Sequence, residues 1–343
     1  MKGLLLLNLG TPDAPSISAV RRYLKEFLMD PCVMDIAPFL RWILVHGIIL
    51  PTRPAKSAAA YAKVWTKRGP PLLFHSQDIT KKVKTVVGHD WIVVLGMRYG
   101  NPSIRQALEL LRKMGCKELV VCPLYPQYSL ATTQSAVDKT QAELKAMTWT
   151  PKLAFVPPFY SDCGFVEAFA EVIRGPLESF KPDFVLFSFH GLPERQVRKT
   201  DPSSTHCLVG ADCCNRIVEH NRNCYRAQSF ATARLISEKL GLPASRRAVA
   251  FQSRFGITPW IQPSSEFLYD KLAQRGVKRL LVACPSFVAD CLETLEEVGI
   301  RGREAFRKSG GKELVLAPSL NSNDLWAKTI AFLSEKCSLE NRI

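Results

Sequence analysis

The stretch that decides the fold is Asp183-Phe-Val-Leu-Phe-Ser-Phe-His-Gly-Leu-Pro193. A continuous run of apolar, β-prone residues reads as a strand buried on both faces, the kind found in parallel sheets. Gly191 and Pro193 end it abruptly. His190 therefore falls at the carboxyl end of a central strand, where open α/β sheets collect their ligands. For an imidazole standing alone, a core histidine satisfied by backbone is the simpler reading. The question is whether it stands alone.

Working outward, strand-like runs alternate with helical ones. Strands are expected at Gly3–Asn8, Trp91–Met97, Glu118–Cys122, Lys152–Val156, Asp183–Phe189, Arg246–Gln252, Arg279–Cys284 and Glu313–Ala317. Asn101-Pro102 opens a helix that Gly115 closes, and Ser76 opens one that Gly88 closes. Three anchors recur in order. Leu7-Asn-Leu-Gly-Thr-Pro12 matches Phe187-Ser-Phe-His-Gly-Leu-Pro193, and Arg98-Tyr-Gly100 matches Arg254-Phe-Gly256. Gly115-Cys-Lys-Glu-Leu-Val-Val-Cys-Pro123 matches Gly276-Val-Lys-Arg-Leu-Leu-Val-Ala-Cys-Pro285. The expected fold is α/β: two duplicated, Rossmann-like, doubly wound lobes with a ligand cleft between them.

The first lobe is expected over 1–155, with an excursion at about 31–75 that the second lobe lacks. The second runs over 156–320, and a last segment, 321–343, carries a helix expected to pack on the first lobe. Within the excursion, Pro38-Phe-Leu-Arg-Trp-Ile-Leu-Val-His-Gly-Ile-Ile-Leu-Pro51 has more apolar residues than one buried helix face needs. It admits two readings, a packed core helix or an apolar lip that meets a flat ligand or a membrane surface.

The chain has 343 residues, with 47% hydrophobic and 22% charged, the composition of a globular protein. Its net charge of +15 would suit nucleic acid, an anionic membrane or an acidic small molecule. The basic residues are scattered rather than blocked, which argues against nucleic acid. The apolar start is too short for a signal peptide and no stretch reaches the length of a membrane span, so a cytoplasmic protein is expected.

Segment Cys284-Pro-Ser-Phe-Val-Ala-Asp-Cys-Leu-Glu-Thr-Leu-Glu-Glu297 also follows a strand. On an α-helix Asp290, Glu293 and Glu297 would share one face. Such a stripe is usually a solvated surface. Here it begins near a strand end and is interleaved with Phe287, Val288 and Leu292. Crowded carboxylates raise one another's pKa, and such a row can pass protons or guide a divalent cation. No Gly-x-Gly-x-x-Gly, Walker loop, Gly-x-Ser-x-Gly or His-Glu-x-x-His competes. Of eleven cysteines, Cys207, Cys213, Cys214 and Cys224 crowd into one short run. In a reducing compartment that crowding suggests a metal before a disulfide.

Taken together, Asn8-Leu-Gly-Thr-Pro12, Pro54-Ala-Lys-Ser-Ala-Ala-Ala-Tyr61, Tyr125-Pro-Gln-Tyr-Ser129, Phe187-Ser-Phe-His-Gly-Leu-Pro193, Phe251-Gln-Ser-Arg-Phe-Gly256 and Ala289-Asp-Cys-Leu-Glu-Thr-Leu-Glu-Glu297 resemble the ferrochelatases nearly end to end. The resemblance implies a chelatase-like fold and a lyase that inserts Fe(II) into protoporphyrin IX as two protons leave. A coproporphyrin enzyme, a cobalt or nickel chelatase, and a non-catalytic tetrapyrrole carrier are the alternatives. It implies that His190 and Glu293 face each other across the porphyrin. His190 would act as proton acceptor or metal ligand, with Asp290 and Glu297 extending the acidic path. It offers Arg53, Arg98, Tyr99, Tyr125 and Phe287 as porphyrin-binding residues. Cys291 stands where some relatives carry a second histidine, which puts a three-ligand metal site in doubt. Resemblance to bacterial members makes the insertion at about 203–226 a [2Fe–2S] site of Cys207, Cys213, Cys214 and Cys224. Structural zinc is the alternative, although adjacent Cys213 and Cys214 sit awkwardly on one tetrahedral ion. His206 and His220 are possible substitutes for one cysteine. Oligomeric state is left open.

Overall fold

The computed structural model describes residues 1–340 except Ala211, Phe255 and Ile257. Phe255 of the Arg254-Phe-Gly256 anchor, Ala211 of the cysteine insertion and residues 341–343 of the last segment thus lie outside the described residues. The chain forms two compact units. The first holds Met1–Tyr125, Leu130–Pro158 and Asn321–Ile343, and the second holds Pro126–Ser129 and Phe159–Leu320.

The first unit runs β1 (Lys2–Thr11), α1 (Ile17–Met29), α2 (Pro38–Ile43), a π-helical turn at Leu44–Ile49, α3 (Leu50–Val64), α4 (Pro71–Val87), β2 (Trp91–Gly100), α5 (Ile104–Lys113), β3 (Glu118–Pro123), α6 (Ser135–Ala146) and β4 (Lys152–Phe155). The second runs α7 (Cys163–Phe180), β5 (Phe184–His190), α8 (Glu194–Arg198), α9 (Tyr225–Lys239), β6 (Arg247–Gln252), α10 (Ser265–Gln274), β7 (Arg279–Ala283), a π-helix at Glu293–Gly302, α11 (Arg303–Lys308) and β8 (Glu313–Leu316). Helix α12 (Asp324–Glu340) belongs to the first unit, where Lys82 pairs with Asp324 at 2.5 Å.

Each unit has one four-stranded sheet, ordered β2-β1-β3-β4 and β6-β5-β7-β8, and every pairing is parallel. All eight expected strands are found, each within a few residues of its expected bounds. Leu4, Leu5, Leu6 and Leu7 in one sheet and Leu186, Phe187 and Phe189 in the other are fully buried, as strands covered on both faces must be.

The pairing registers make the duplication concrete and correct its detail. Leu6 pairs with Cys122 and Phe187 with Ala283, while Leu7 pairs with Gly96 and Ser188 with Ala250. The backbone bond from Val156 N to Val121 O has its counterpart in Ala317 N to Val282 O. Leu6 therefore matches Phe187, and Leu9 matches His190. The same register sets Arg98 against Gln252, not against Arg254, because the tripeptide match was carried by composition rather than by pairing. Beyond the paired strands, Met97 bridges to Ser103 and Phe251 to Ser264, and each serine caps the next helix.

Two further expectations change. Helix α4 begins at Pro71, since proline is well suited to a first helical position. Ser76 lies inside it, fully buried, and accepts the Asn8 side-chain amide at 3.0 Å instead of capping. In the excursion, Phe39, Leu40, Trp42, Ile43 and Ile48 are exposed. That stretch is packed through Val45, Ile49 and Leu50 and leaves its other side as an apolar surface.

The first unit is pinned by a buried charge. Asp30 forms an ion pair with Arg98 and accepts the hydroxyls of Tyr99 at 2.8 Å and Ser135 at 2.5 Å. Burial opposes the charge on Asp30. Hydrogen bonds from Ser135, Tyr99 and the Cys32 amide, with the Arg98 guanidinium, outweigh it and hold the carboxyl below its ordinary value. Asp30→Asn should cost about 2–4 kcal/mol at neutral pH by urea unfolding, because Arg98 loses its buried partner. A carboxyl depressed by folding stabilises above its ordinary value of 3.8 and loses that effect as pH falls. The gap between wild type and variant should therefore narrow below about pH 4.

Candidate functional site

The carboxyl edge of the second sheet gathers the chemistry. His190 is the last residue of β5 and pairs in register with Gln252, the last residue of β6. Its ring is half-buried, and Nδ1 lies 2.5 Å from the Gly191 carbonyl. A carbonyl only accepts, so Nδ1 carries the hydrogen and the neutral ring keeps its lone pair on Nε2. The His190 N–H donates to Ser286 Oγ at 3.2 Å, and the rings of Phe287 and Trp260 lie 6.2 and 6.5 Å away.

The absence of a side chain at 191 is required here. A Cβ on Gly191 would stand 2.7 Å from the Gln252 carbonyl and 3.1 Å from the Trp260 ring. The Gly191 N–H uses that closeness to donate to the same carbonyl at 2.7 Å.

Gln252 ties three elements together from a buried position. Its side chain accepts the Ser188 hydroxyl at 2.7 Å and donates to the Glu293 carbonyl at 2.8 Å. Glu293 opens the π-helix, a winding that recurs at functional sites. The expected α-helical face is thus corrected: Asp290 precedes the helix and is not on it. Asp290 is buried and bound by the Thr294 hydroxyl at 3.1 Å and the Ser319 N–H at 3.4 Å.

Glu297 is held by Ser253, whose N–H and hydroxyl donate to its two oxygens at 2.7 and 2.6 Å. Ser253 takes a left-handed φ of 68° to aim both donors, an uncommon conformation for a side chain other than glycine. Burial pushes the Glu297 carboxyl above its ordinary value, and the Glu293 charge adds to this. The Ser253 hydrogen bonds and the nearby His190 and Arg301 partly oppose the rise. Cys291 is fully buried with its thiol pushed well up, first by burial and then by the Glu293 carboxylate to which it donates. It serves as a neutral donor to Glu293.

The other expected ligand contacts divide. Phe287 is at the site. Arg98 and Tyr99 are committed to Asp30 in the first unit, and Tyr99 is fully buried. Tyr125 is buried as well, and Arg53 is half-buried on α3. Sequence reasoning missed Gln252, Ser253, Trp260 and Ser286. The first two stand in the Phe251–Gly256 motif, where they carried no assigned role, and Trp260 and Ser286 had no signal of their own.

The four clustered cysteines form a second assembly. Cys214 donates to Cys224 and Cys224 to Cys207, while the Cys213 and Cys214 sulfurs are 3.7 Å apart. The hydrogen bond from Cys224 lowers the Cys207 thiol, against burial. Around them, Asp201 accepts the N–H groups of His206 and Cys207 at 2.8 Å each, and Asn221 donates to the Cys213 and Arg216 carbonyls at 2.8 and 2.9 Å. Among the described residues no three His, Cys, Asp or Glu side chains already stand in a metal-binding arrangement.

The α/β architecture of two four-stranded parallel sheets is chelatase-like. Two solved structures match at this level: the protein SirB from Bacillus subtilis with Fe3+ (TM-score 0.51, 11% identity, 99% of this chain and 95% of that one), and the sirohydrochlorin chelatase SirB from Bacillus subtilis subspecies spizizenii in complex with cobalt (TM-score 0.53, 9% identity, 99% and 94%). The Ferrochelatase family model matches residues 1–337. Ferrochelatases of Coxiella burnetii (strain Dugway 5J108-111), Legionella pneumophila (strain Corby) and Azotobacter vinelandii are 45%, 44% and 47% identical. They cover 97%, 96% and 96% of this chain, which covers 93%, 97% and 97% of theirs. The chain belongs to the ferrochelatase family and is a metal chelatase of the lyase class.

A carboxyl raised by folding destabilises as pH climbs from its ordinary value of 4.5 toward its folded one. Glu297→Gln removes that penalty while keeping an acceptor for Ser253. Its melting temperature relative to wild type should therefore rise between pH 5 and pH 8, as checked by calorimetry at both ends.

Proposed function

We propose that the protein inserts Fe(II) into protoporphyrin IX and that the His190–Glu293–Glu297 group performs the proton transfers. The observation that carries this is the 2.5 Å contact between His190 Nδ1 and the Gly191 carbonyl. Nδ1 is anchored on Gly191, so Nε2 is the atom that takes a proton from the ring. Insertion exchanges one Fe2+ for two pyrrole protons, and both must leave as the metal enters. Nε2 accepts one, and the resulting imidazolium is stabilised by the nearby Glu297 charge. The second proton goes to the Glu293 carboxylate, and the raised carboxyl of Glu297 beside it passes protons onward. Phe287 offers a flat apolar face to the macrocycle. Arg98, Tyr99 and Asp290 are left to structural roles. His190→Ala should lower anaerobic haem formation by at least about 100-fold while porphyrin binding changes little. Turnover near the wild-type rate would overturn the assignment.

In the same reading, Cys207, Cys213, Cys214 and Cys224 hold a [2Fe–2S] cluster. Four thiols gathered under hydrogen-bonded loops suit that group, and adjacent Cys213 and Cys214 fit two irons better than one zinc. When bound, the cluster would supply a redox-active, negatively charged centre to which Arg226 already points, 3.0 Å from Cys214 Sγ. Freshly purified protein should show charge-transfer bands between about 300 and 600 nm that vanish in Cys214→Ser. A colourless protein with stoichiometric zinc would favour the alternative. The exposed apolar residues of α2, with Lys56 and Lys63 exposed on α3, suit peripheral contact with an anionic membrane.

A further inference from the structure

Arg226 joins the cysteine group to the Trp260–Gln262 segment, while Arg198 of α8 reaches the Cys207 and Leu208 carbonyls at 3.3 Å each. It lies in the first turn of α9, two residues after Cys224. Nη1 donates to Cys214 Sγ at 3.0 Å, Nε donates to the Gln262 carbonyl at 3.2 Å, and the guanidinium lies 4.8 Å over the Phe230 ring. A planar fork holds both donors at fixed angles, which a lysine ammonium does not.

The segment that receives the second bond is fastened, on its other side, to the loop leaving His190. Glu194 N–H donates to the Pro259 carbonyl and Ile261 N–H to the Leu192 carbonyl, each at 3.0 Å. Pro193 and Trp260 form an antiparallel bridge, and the Trp260 ring packs over Gly191 beside His190. A shift of the Gln262 carbonyl therefore reaches Trp260 through two residues of chain. His190 itself is held by the β5 ladder and Ser286.

We propose that Arg226 is a positioning residue: it links the Cys214 sulfur to the placement of Trp260, so that what the cysteine group holds sets the affinity of the His190 pocket for porphyrin. Proton transfer at His190 is untouched. The inference rests on the porphyrin reading of that pocket, but it does not depend on which metal the cysteines carry. A metal-bound sulfur would be the acceptor an always-charged guanidinium prefers, and its loss would free the other end of the fork.

The test is titration of as-isolated protein with protoporphyrin IX in the absence of Fe(II), followed by absorbance, in wild type, Arg226→Gln, Arg226→Lys, Cys214→Ser and the Arg226→Gln/Cys214→Ser double variant. Arg226→Gln should bind about three- to thirtyfold more weakly, raising KM and leaving kcat unchanged. Arg226→Lys should not rescue it, and the double variant should be no weaker than either single one. Phe230→Leu, which removes the ring under the guanidinium, replaces Cys214→Ser in the cycle where that variant does not fold. Wild-type affinity in Arg226→Gln, simple addition of the two single effects, or a fall in kcat at unchanged affinity would each overturn the coupling. Wild type that binds no protoporphyrin IX would instead overturn the porphyrin reading. Metal content of the same samples decides the cluster reading independently.

Discussion

One buried carboxamide organises the site. Gln252 ends β6, and both of its polar side-chain atoms are used, one on Ser188 of β5 and the other on the Glu293 carbonyl that opens the π-helix. Its own carbonyl accepts the Gly191 N–H. Buried amides are costly unless satisfied, so the arrangement holds three separate chain segments to one geometry. His190 and Glu293 are thereby placed by the same residue. A parallel sheet delivers its strand ends to one edge, and Gln252 converts that edge into a fixed pair of groups.

Duplication explains the architecture and not the chemistry. The two sheets share strand order and register, and both carry a serine-capped helix after the second strand. At the positions that matter the copies diverge. Leu9 stands where the second unit has His190, and Arg98 stands where it has Gln252. The first copy gathers its polar residues around Asp30, and the second gathers them at the edge that holds His190, Glu293 and Glu297.

The strands were legible because burial on both faces demands uninterrupted apolar runs, and the chain has eight of them. His190, Glu293 and Glu297 drew notice by their place beside such runs, and their pairing was what the family resemblance implied. What failed was periodicity and pairing at a distance. Nothing local distinguishes Glu293–Gly302 as a π-helix from an α-helix, so Asp290 was set on a face it does not share. The Arg98-Tyr-Gly100 and Arg254-Phe-Gly256 likeness pointed to the wrong partner because three letters cannot report register. Gln252 and Ser253 looked like ordinary polar residues at a strand end. Their role appears only once Ser188 and the acidic helix are brought to them.

The two thiols nearest the carboxylates, Cys284 and Cys291, are fully enclosed, and burial with neighbouring negative charge keeps both protonated. Thiols react with peroxide as thiolates. An enzyme that handles ferrous iron works beside the source of its own oxidants, since ferrous iron and dioxygen generate peroxide. Holding these sulfurs neutral makes the reaction chamber chemically quiet. The clustered thiols of Cys207, Cys213, Cys214 and Cys224 lie in a loop of their own.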